Sequence, residues 1–333
     1  LAQTQEKQTA LASISQDMHT RQEQLKQNIV ACELEIDRAK INIDKLKIPH
    51  MIRLLYGSLV RPKRRQIMYN TTPITGVYAS ALRALGIEPA AGTQAPIAAL
   101  DKLCKKAFGG EKADRLLLYN PDAVALWLFQ KYNEMFTDAQ LASSIMLPLL
   151  SVMPSVTPVC FASMYTGLIP AEHGIKAYVK PVLKCNTIFD DLVKAGKRVA
   201  LVSTSNDSIS MIFLKRSIEY YIYDTVDEVN AKAMELIEKD CYDVMVVYNG
   251  NYDGTMHKFG TESEEAIAAL KANLAFYCRL VDAVKQHWAQ HNTFYGFMPD
   301  HGCHEIDGGC GAHGLDMEED MNIVHLYGCN ARE

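Results

Sequence analysis

A chain of 333 residues with 48% hydrophobic side chains can bury a large core, enough for one big domain or two smaller ones. The formal net charge of -5 argues against a nucleic-acid duplex as the main partner. The nine cysteines, odd in number and without a Cys-x-x-Cys pair, argue for reduced thiols over a disulfide framework.

The chain begins at Leu1, which leaves open whether a segment precedes it. Nothing in it resembles a signal peptide, and no apolar run reaches the roughly 20 residues of a membrane span. The expectation is therefore a soluble, cytoplasmic protein without a membrane partner.

Residues 1–48 lack Gly and Pro and place Leu11, Ile14, Met18, Leu25, Ile29, Cys32, Ile36, Ala39, Ile43 and Leu46 at steps of mostly three and four. That spacing predicts a long coiled-coil helix, ended by Pro49, that pairs with a second copy or with another part of the chain. Arg21 interrupts the seam. Residues 49–111 are punctuated by Pro and Gly and carry short helical pieces, at Val77 to Leu85 and Ala95 to Ala107. They read as a small helical linker or cap, and the basic run Arg61 to Arg65 reads as a solvated hinge.

From Lys112 the pattern changes. Strands are predicted at Leu116 to Asn120, Arg198 to Ser203, Tyr220 to Tyr223, Val244 to Tyr248, Thr293 to Met298 and Asn322 to Tyr327. Helices are predicted between them, one opened by Pro121-Asp122 and others at Val226 to Glu238 and Ser263 to Trp288. Strands alternating with helices predict an α/β fold, a mostly parallel sheet with helices on both faces, over residues 112–333.

Several stretches in this part carry chemistry. Pro299 to Gly314 follows a buried strand, contains Asp300, His301 and His313, and is rich in glycine. Asp and His there supply hard oxygen and borderline nitrogen donors for a divalent metal. Asn249 to Gly260 also follows a strand, and its Asp253 and His257 are four apart, so one helical turn puts both on one side. Thr157-Pro158, with Gly167 as the stop, reads as a helix start with Thr157 at the cap. A hydroxyl there faces unpaired N–H groups and the positive end of the helix dipole, which favour phosphate and alkoxide. Singly, Thr157 is a cap, Asp253 a turn former and His257 a surface side chain; together at successive strand ends they point to one site.

In combination these residues resemble the alkaline phosphatase superfamily, most closely its type I phosphodiesterase/nucleotide pyrophosphatase branch. The carrying residues are Asp122, Thr157 with Thr166 to Ile175, Asp253-x-x-x-His257, Asp300-His301-Gly302 and His313-Gly314. The resemblance covers about residues 112–328 and implies two divalent metals, Zn²⁺ first and Mn²⁺ second. Asp122, Thr157, Asp300 and His301 would hold one, and Asp253, His257 and His313 the other. Thr157 would be the nucleophile that forms a covalent phosphothreonine on a small phosphorylated substrate.

The sequence departs from that branch where an Asn usually binds a phosphate oxygen. Tyr178 stands there, with Lys180 and Asn186 as further candidates for substrate contact. Cys160 lacks the Cys-x-Pro-x-Arg setting of sulfatases and reads as a core residue. Cys303, His304, Glu305, Asp307 and Cys310 lie among the ligands and either support them or face solvent, while His173 reads as tuning its loop. The leading expectation is a two-metal phosphoesterase acting on a diester, nucleotide-type or monoester substrate. A phosphomutase of the same superfamily and a non-catalytic metal-binding coiled-coil scaffold are the alternatives.

Overall fold

The computed structural model describes residues 68–306 and 309–333. The predicted coiled coil and the Arg61 to Arg65 run lie outside the described residues. Within them the strands are β1 (Arg115–Pro121), β2 (Ile145–Leu150), β3 (Val199–Thr204), β4 (Glu219–Tyr223), β5 (Val244–Asn249), β6 (Thr293–Phe297), β7 (His304–Ile306), β8 (Cys310–Ala312) and β9 (Asn322–Asn330). Seven form one sheet in the order β2-β9-β6-β1-β5-β3-β4, and β7 and β8 form a separate hairpin. The pairs β6/β1, β1/β5, β5/β3 and β3/β4 are parallel, whereas β9 runs antiparallel to β6 and β2. The sheet is thus mostly parallel, as the pattern predicts.

The helices of nine or more described residues are α1 (Gly76–Ala84), α2 (Ala98–Ala107), α3 (Thr157–Thr166), α4 (Val226–Lys239), α5 (Asn251–Phe259) and α6 (Glu264–His287). They divide between the two faces because successive strand residues point to opposite sides. Leu116 and Leu118 of β1, with Val244 and Val246 of β5, share a buried cluster with Val77 and Leu82 of α1, Leu100 of α2 and Phe161 of α3. Leu117, Tyr119, Met245 and Val247 join the other cluster, with Val229 of α4, Tyr252 of α5 and Leu270 and Tyr277 of α6. Both faces of the central strands are covered, which is why β1 and β5 read as continuous apolar runs. No helix among the described residues is long and apolar enough to cross a membrane.

Two local expectations need correction. Pro121-Asp122 does not open a helix: Pro121 ends β1, Ala123 turns the chain at φ 64°, and the next helix is Leu126–Lys131. Strand β2 escapes the sequence pattern because Pro148 sits in its middle, which is tolerated only because β2 is an edge strand. Helix α3 starts at Thr157 itself, with Val156 extended at φ -129° as the cap, one residue earlier than the Thr-Pro pair predicts. All ten of its residues are buried, consistent with a run of small and apolar side chains that has no polar face.

Gly167 ends α3 in the left-handed region at φ 71°, and a Cβ there would lie 2.7 Å from the Tyr78 ring of α1. Gly167→Ala should therefore lower stability by more than the roughly 1–2 kcal/mol of a left-handed non-glycine residue, read as a drop in thermal midpoint.

Candidate metal centre

Because β6, β1 and β5 are adjacent and parallel, their carboxyl ends lie together at one edge of the sheet. Each is followed directly by a candidate ligand: Asp300 and His301 after β6, Asp122 after β1, and Asp253 and His257 on α5 after β5. Strand β2, antiparallel to β9 as β6 is, ends at the same edge and leads to Thr157 at the start of α3. His313 arrives from the β7–β8 hairpin, which Glu305 pins to the α5–α6 turn by accepting from the Thr261 N–H at 2.8 Å and hydroxyl at 2.7 Å. All seven residues that the sequence nominated as ligands or nucleophile meet here.

Their contacts are close. His301 Nε2 lies 3.2 Å from Thr157 Oγ1, 3.3 Å from Asp122 Oδ1 and 3.4 Å from Asp300 Oδ2. His257 Nε2 and His313 Nε2 lie 3.2 and 3.4 Å from Asp253 Oδ1 and 3.1 Å from each other, and the His301 and His313 rings stack at 4.0 Å. Two groups of side chains have the spacing of a metal site: Asp253, His257 and His313, and Asp122, Asp253 and His301. Asp253 belongs to both, whereas the resemblance assigned it to one.

The imidazoles are aimed by backbone carbonyls. Nδ1 of His257, His301 and His313 meets the carbonyl of Gly311, Gly302 and Ser155 at 2.9, 2.9 and 2.8 Å. A carbonyl only accepts, so in each neutral ring the proton sits on Nδ1 and the Nε2 lone pair turns inward. Two such lone pairs 3.1 Å apart cannot bond to each other; they need a proton or a metal ion between them. The carboxylates are held in the same way. Tyr248 at the end of β5 donates its hydroxyl to Asp122 Oδ2 at 2.5 Å, and Ser151 Oγ and His325 Nε2 meet the Asp300 and Pro299 carbonyls at 2.6 Å each.

Asp122 and Asp300 are fully buried, and Asp122 Oδ1 and Asp300 Oδ2 have no hydrogen-bond donor, while Asp253 Oδ1 has one only when His257 or His313 carries a proton on Nε2. Burial, then the Asp253 charge, pushes Asp122 up to about 7, and burial with the Asp122 charge raises Asp300 well above the carboxylate range. Burial also opposes ionisation of Asp253, but hydrogen bonds from His257 and His313 outweigh it and hold the carboxyl below its usual value. The Asp253 carboxylate in turn raises His257 to about 9, while burial drives His301 down. In this cluster protons stand where cations would otherwise balance the charge. Orphaned buried oxygens and inward-facing Nε2 atoms are what divalent metal ions would satisfy, so the residues present fit them.

The three candidate substrate contacts are engaged differently. Tyr178 is exposed, Lys180 Nζ donates to the Asn206 carbonyl at 2.7 Å and lies 5.3 Å over the Tyr178 ring, and Asn186 Nδ2 donates to Asp191 at 2.7 Å. Those bonds tie Lys180 to the turn at Asn206 and Asn186 to the helix Ile188–Lys194 rather than to the cluster. Cys160 is a buried core residue beside Ser151 Oγ, and His173 Nε2 meets Ser163 Oγ at 2.9 Å, away from the ligands. Tyr248 was legible only as the end of a strand, because a hydroxyl at a strand's carboxyl end gives no sign of which carboxylate it reaches.

No family model matches this chain, and no curated protein sequence matches it. Solved structures do. Human ectonucleotide pyrophosphatase/phosphodiesterase 5 is 12% identical over 66% of this chain and 90% of its own, at a TM-score of 0.51. The murine protein of that name is 16% identical at a TM-score of 0.46, and this chain spans only 58% of its length. Phosphonoacetate hydrolase from Sinorhizobium meliloti, in complex with phosphonoformate, is 19% identical over 61% of each chain at a TM-score of 0.44. This chain and the human protein therefore share an α/β fold.

Tyr248→Phe removes the one donor to Asp122 Oδ2 and should weaken divalent-metal affinity by about 10-fold or more, measured by titration calorimetry on the metal-free protein.

Proposed function

We propose that this protein is a metal-dependent phosphoesterase that uses Thr157 as nucleophile and prefers a phosphodiester. The observation that carries the reading is the clustering of three buried carboxyls and three inward-facing imidazole nitrogens, with His301 Nε2 of that cluster 3.2 Å from the Thr157 hydroxyl at a helix start. The fold is one that hydrolases of phosphoester and phosphonate bonds also have.

Asp122, Asp300 and His301 would hold one divalent ion beside Thr157, and Asp253, His257 and His313 the other, with Asp253 within reach of both. Such ions, when bound, neutralise charge on the transferring phosphoryl group and on the attacking and leaving oxygens. The chain's own part is positional. Helix α3 presents Thr157 Oγ1 at its amino end, where the positive end of the helix dipole favours both alkoxide and phosphate. For a diester, the Thr157 oxygen attacks phosphorus and one alcohol leaves with the hydroxyl's proton, giving a phosphothreonine that keeps the second ester group; water then displaces the threonine oxygen, restoring the hydroxyl and releasing a phosphomonoester. The carbonyls of Gly302, Gly311 and Ser155 keep the imidazoles from turning as charge moves.

Among the described residues no Lys or Arg forms an ion pair with Asp122, Asp253 or Asp300; their ion-pair partners are imidazoles. A phosphomonoester brings about two negative charges near neutral pH and a diester one. A site whose carboxyls pair with imidazoles and with no Lys or Arg favours the singly charged substrate.

The experiment compares p-nitrophenyl phosphate with thymidine p-nitrophenyl phosphate, using protein supplied with Zn²⁺ or Mn²⁺. The diester should be turned over with at least about tenfold higher kcat/KM, a difference of roughly 1.4 kcal/mol in transition-state stabilisation. Chelation should abolish release and added metal restore it. Thr157→Ala should lower turnover by on the order of 10³-fold or more while metal binding persists; undiminished turnover in that variant would refute the nucleophile assignment.

A further inference from the structure

The segment from Gly302 to Leu315 joins two candidate ligands, His301 and His313, by way of the β7–β8 hairpin. Both its ends are gripped by one residue that lies outside either metal group, Asp320. Asp320 is fully buried, and its ion-pair partner is an imidazole. Its Oδ1 meets His304 Nδ1 at 2.7 Å, its Oδ2 accepts from the Leu315 N–H at 2.8 Å, and its own carbonyl accepts from the Gly302 N–H at 2.7 Å. The fit at Gly302 is tight: a Cβ there would lie 2.0 Å from the Glu319 carbonyl oxygen.

A buried carboxylate is costly unless each oxygen is paired, so a fully satisfied one fixes its neighbours strongly. Leu315 is two residues from His313. The Ser155 carbonyl orients the His313 ring and Ser155 Oγ donates to the Leu315 carbonyl at 3.4 Å, while Asp320 Oδ2 holds the Leu315 N–H, so Ser155 aims the ring and Asp320 anchors the backbone two residues on.

We infer that Asp320 is a positioning residue for the metal centre, tying His304 and Leu315 so that His313 stays beside His257 and Asp253. This rests on the metal-dependent reading above. Asp320 holds the His313 half of the centre, because the Gly302 bond uses its backbone and survives substitution, whereas the Leu315 and His304 bonds use its side chain.

The test is Co²⁺ titration of the full chain, followed by calorimetry and by visible absorption of the bound ion. The native protein should take up two ions. Asp320→Ala should keep one at near-native affinity and bind the other at least about tenfold more weakly, with altered absorption for that ion. Asp320→Asn can still accept from the Leu315 N–H and donate to a neutral His304, so it should recover most of the affinity. His304→Ala removes a single partner, keeps the test open if Asp320→Ala does not fold, and should weaken the same ion by a smaller factor.

Native affinity for both ions in Asp320→Ala, or in His304→Ala where Asp320→Ala does not fold, would overturn the inference and leave the metal reading intact. Equal weakening of both ions would also overturn it, since that is general destabilisation. Native protein that binds no Co²⁺ would remove the metal reading and this inference with it.

Discussion

Two carboxyls, Asp122 and Asp300, lie fully buried at the end of the sheet, and a third, Asp253, stands close enough to raise them both. Like charges in a low-dielectric interior repel strongly, and taking each from water costs several kcal/mol before any partner is found. Only concentrated positive charge offsets that. The imidazoles of His257 and His313, which the Asp253 carboxylate favours in their protonated form, supply part of it, and the unsatisfied oxygens of Asp122 and Asp300 mark where more is needed. Helix start, hairpin and strand ends are all arranged about this demand.

The fold meets it by topology. Side-by-side parallel strands bring residues far apart in the chain to one edge, and the two apolar clusters on opposite faces hold those strands rigid. Ligands at the ends of packed strands are placed more firmly than ligands on free loops. His313, which comes from a longer excursion, is linked to His257 through the hairpin itself, since the carbonyl of Gly311, two residues before His313, orients the His257 ring. One small hairpin thus couples two ligands of the same metal group.

The same arrangement explains why the backbone does so much of the orienting. A carbonyl has no proton to give, so it fixes the imidazole tautomer unambiguously, where a hydroxyl would accept either. Tyr248 does for Asp122 what the carbonyls do for the rings, and Ser151 and His325 do it for the strand end that carries Asp300. The result is a set of donor atoms facing one point before any ion arrives, which is the preorganisation that a charge-developing reaction exploits.

The amino-acid sequence by itself determined the fold class and the chemical character of the site. Apolar runs such as Leu116 to Tyr119 and Val244 to Val247 are strands because they are buried on both faces, and Asp or Asp/His directly after three of them needs no coordinates to be seen. The sequence could not show β2, where Pro148 hides an edge strand, or the turn at Ala123 that frees Asp122 from a helix. Tertiary structure alone decided that Asp253 stands between both ligand groups, that Lys180 and Asn186 bond elsewhere, and that Tyr248, Ser155, Gly311 and Asp320 support the centre. The reason is physical: period and propensity are local, whereas a hydrogen bond between residues 122 and 248, or 155 and 313, exists only once the sheet has brought them together.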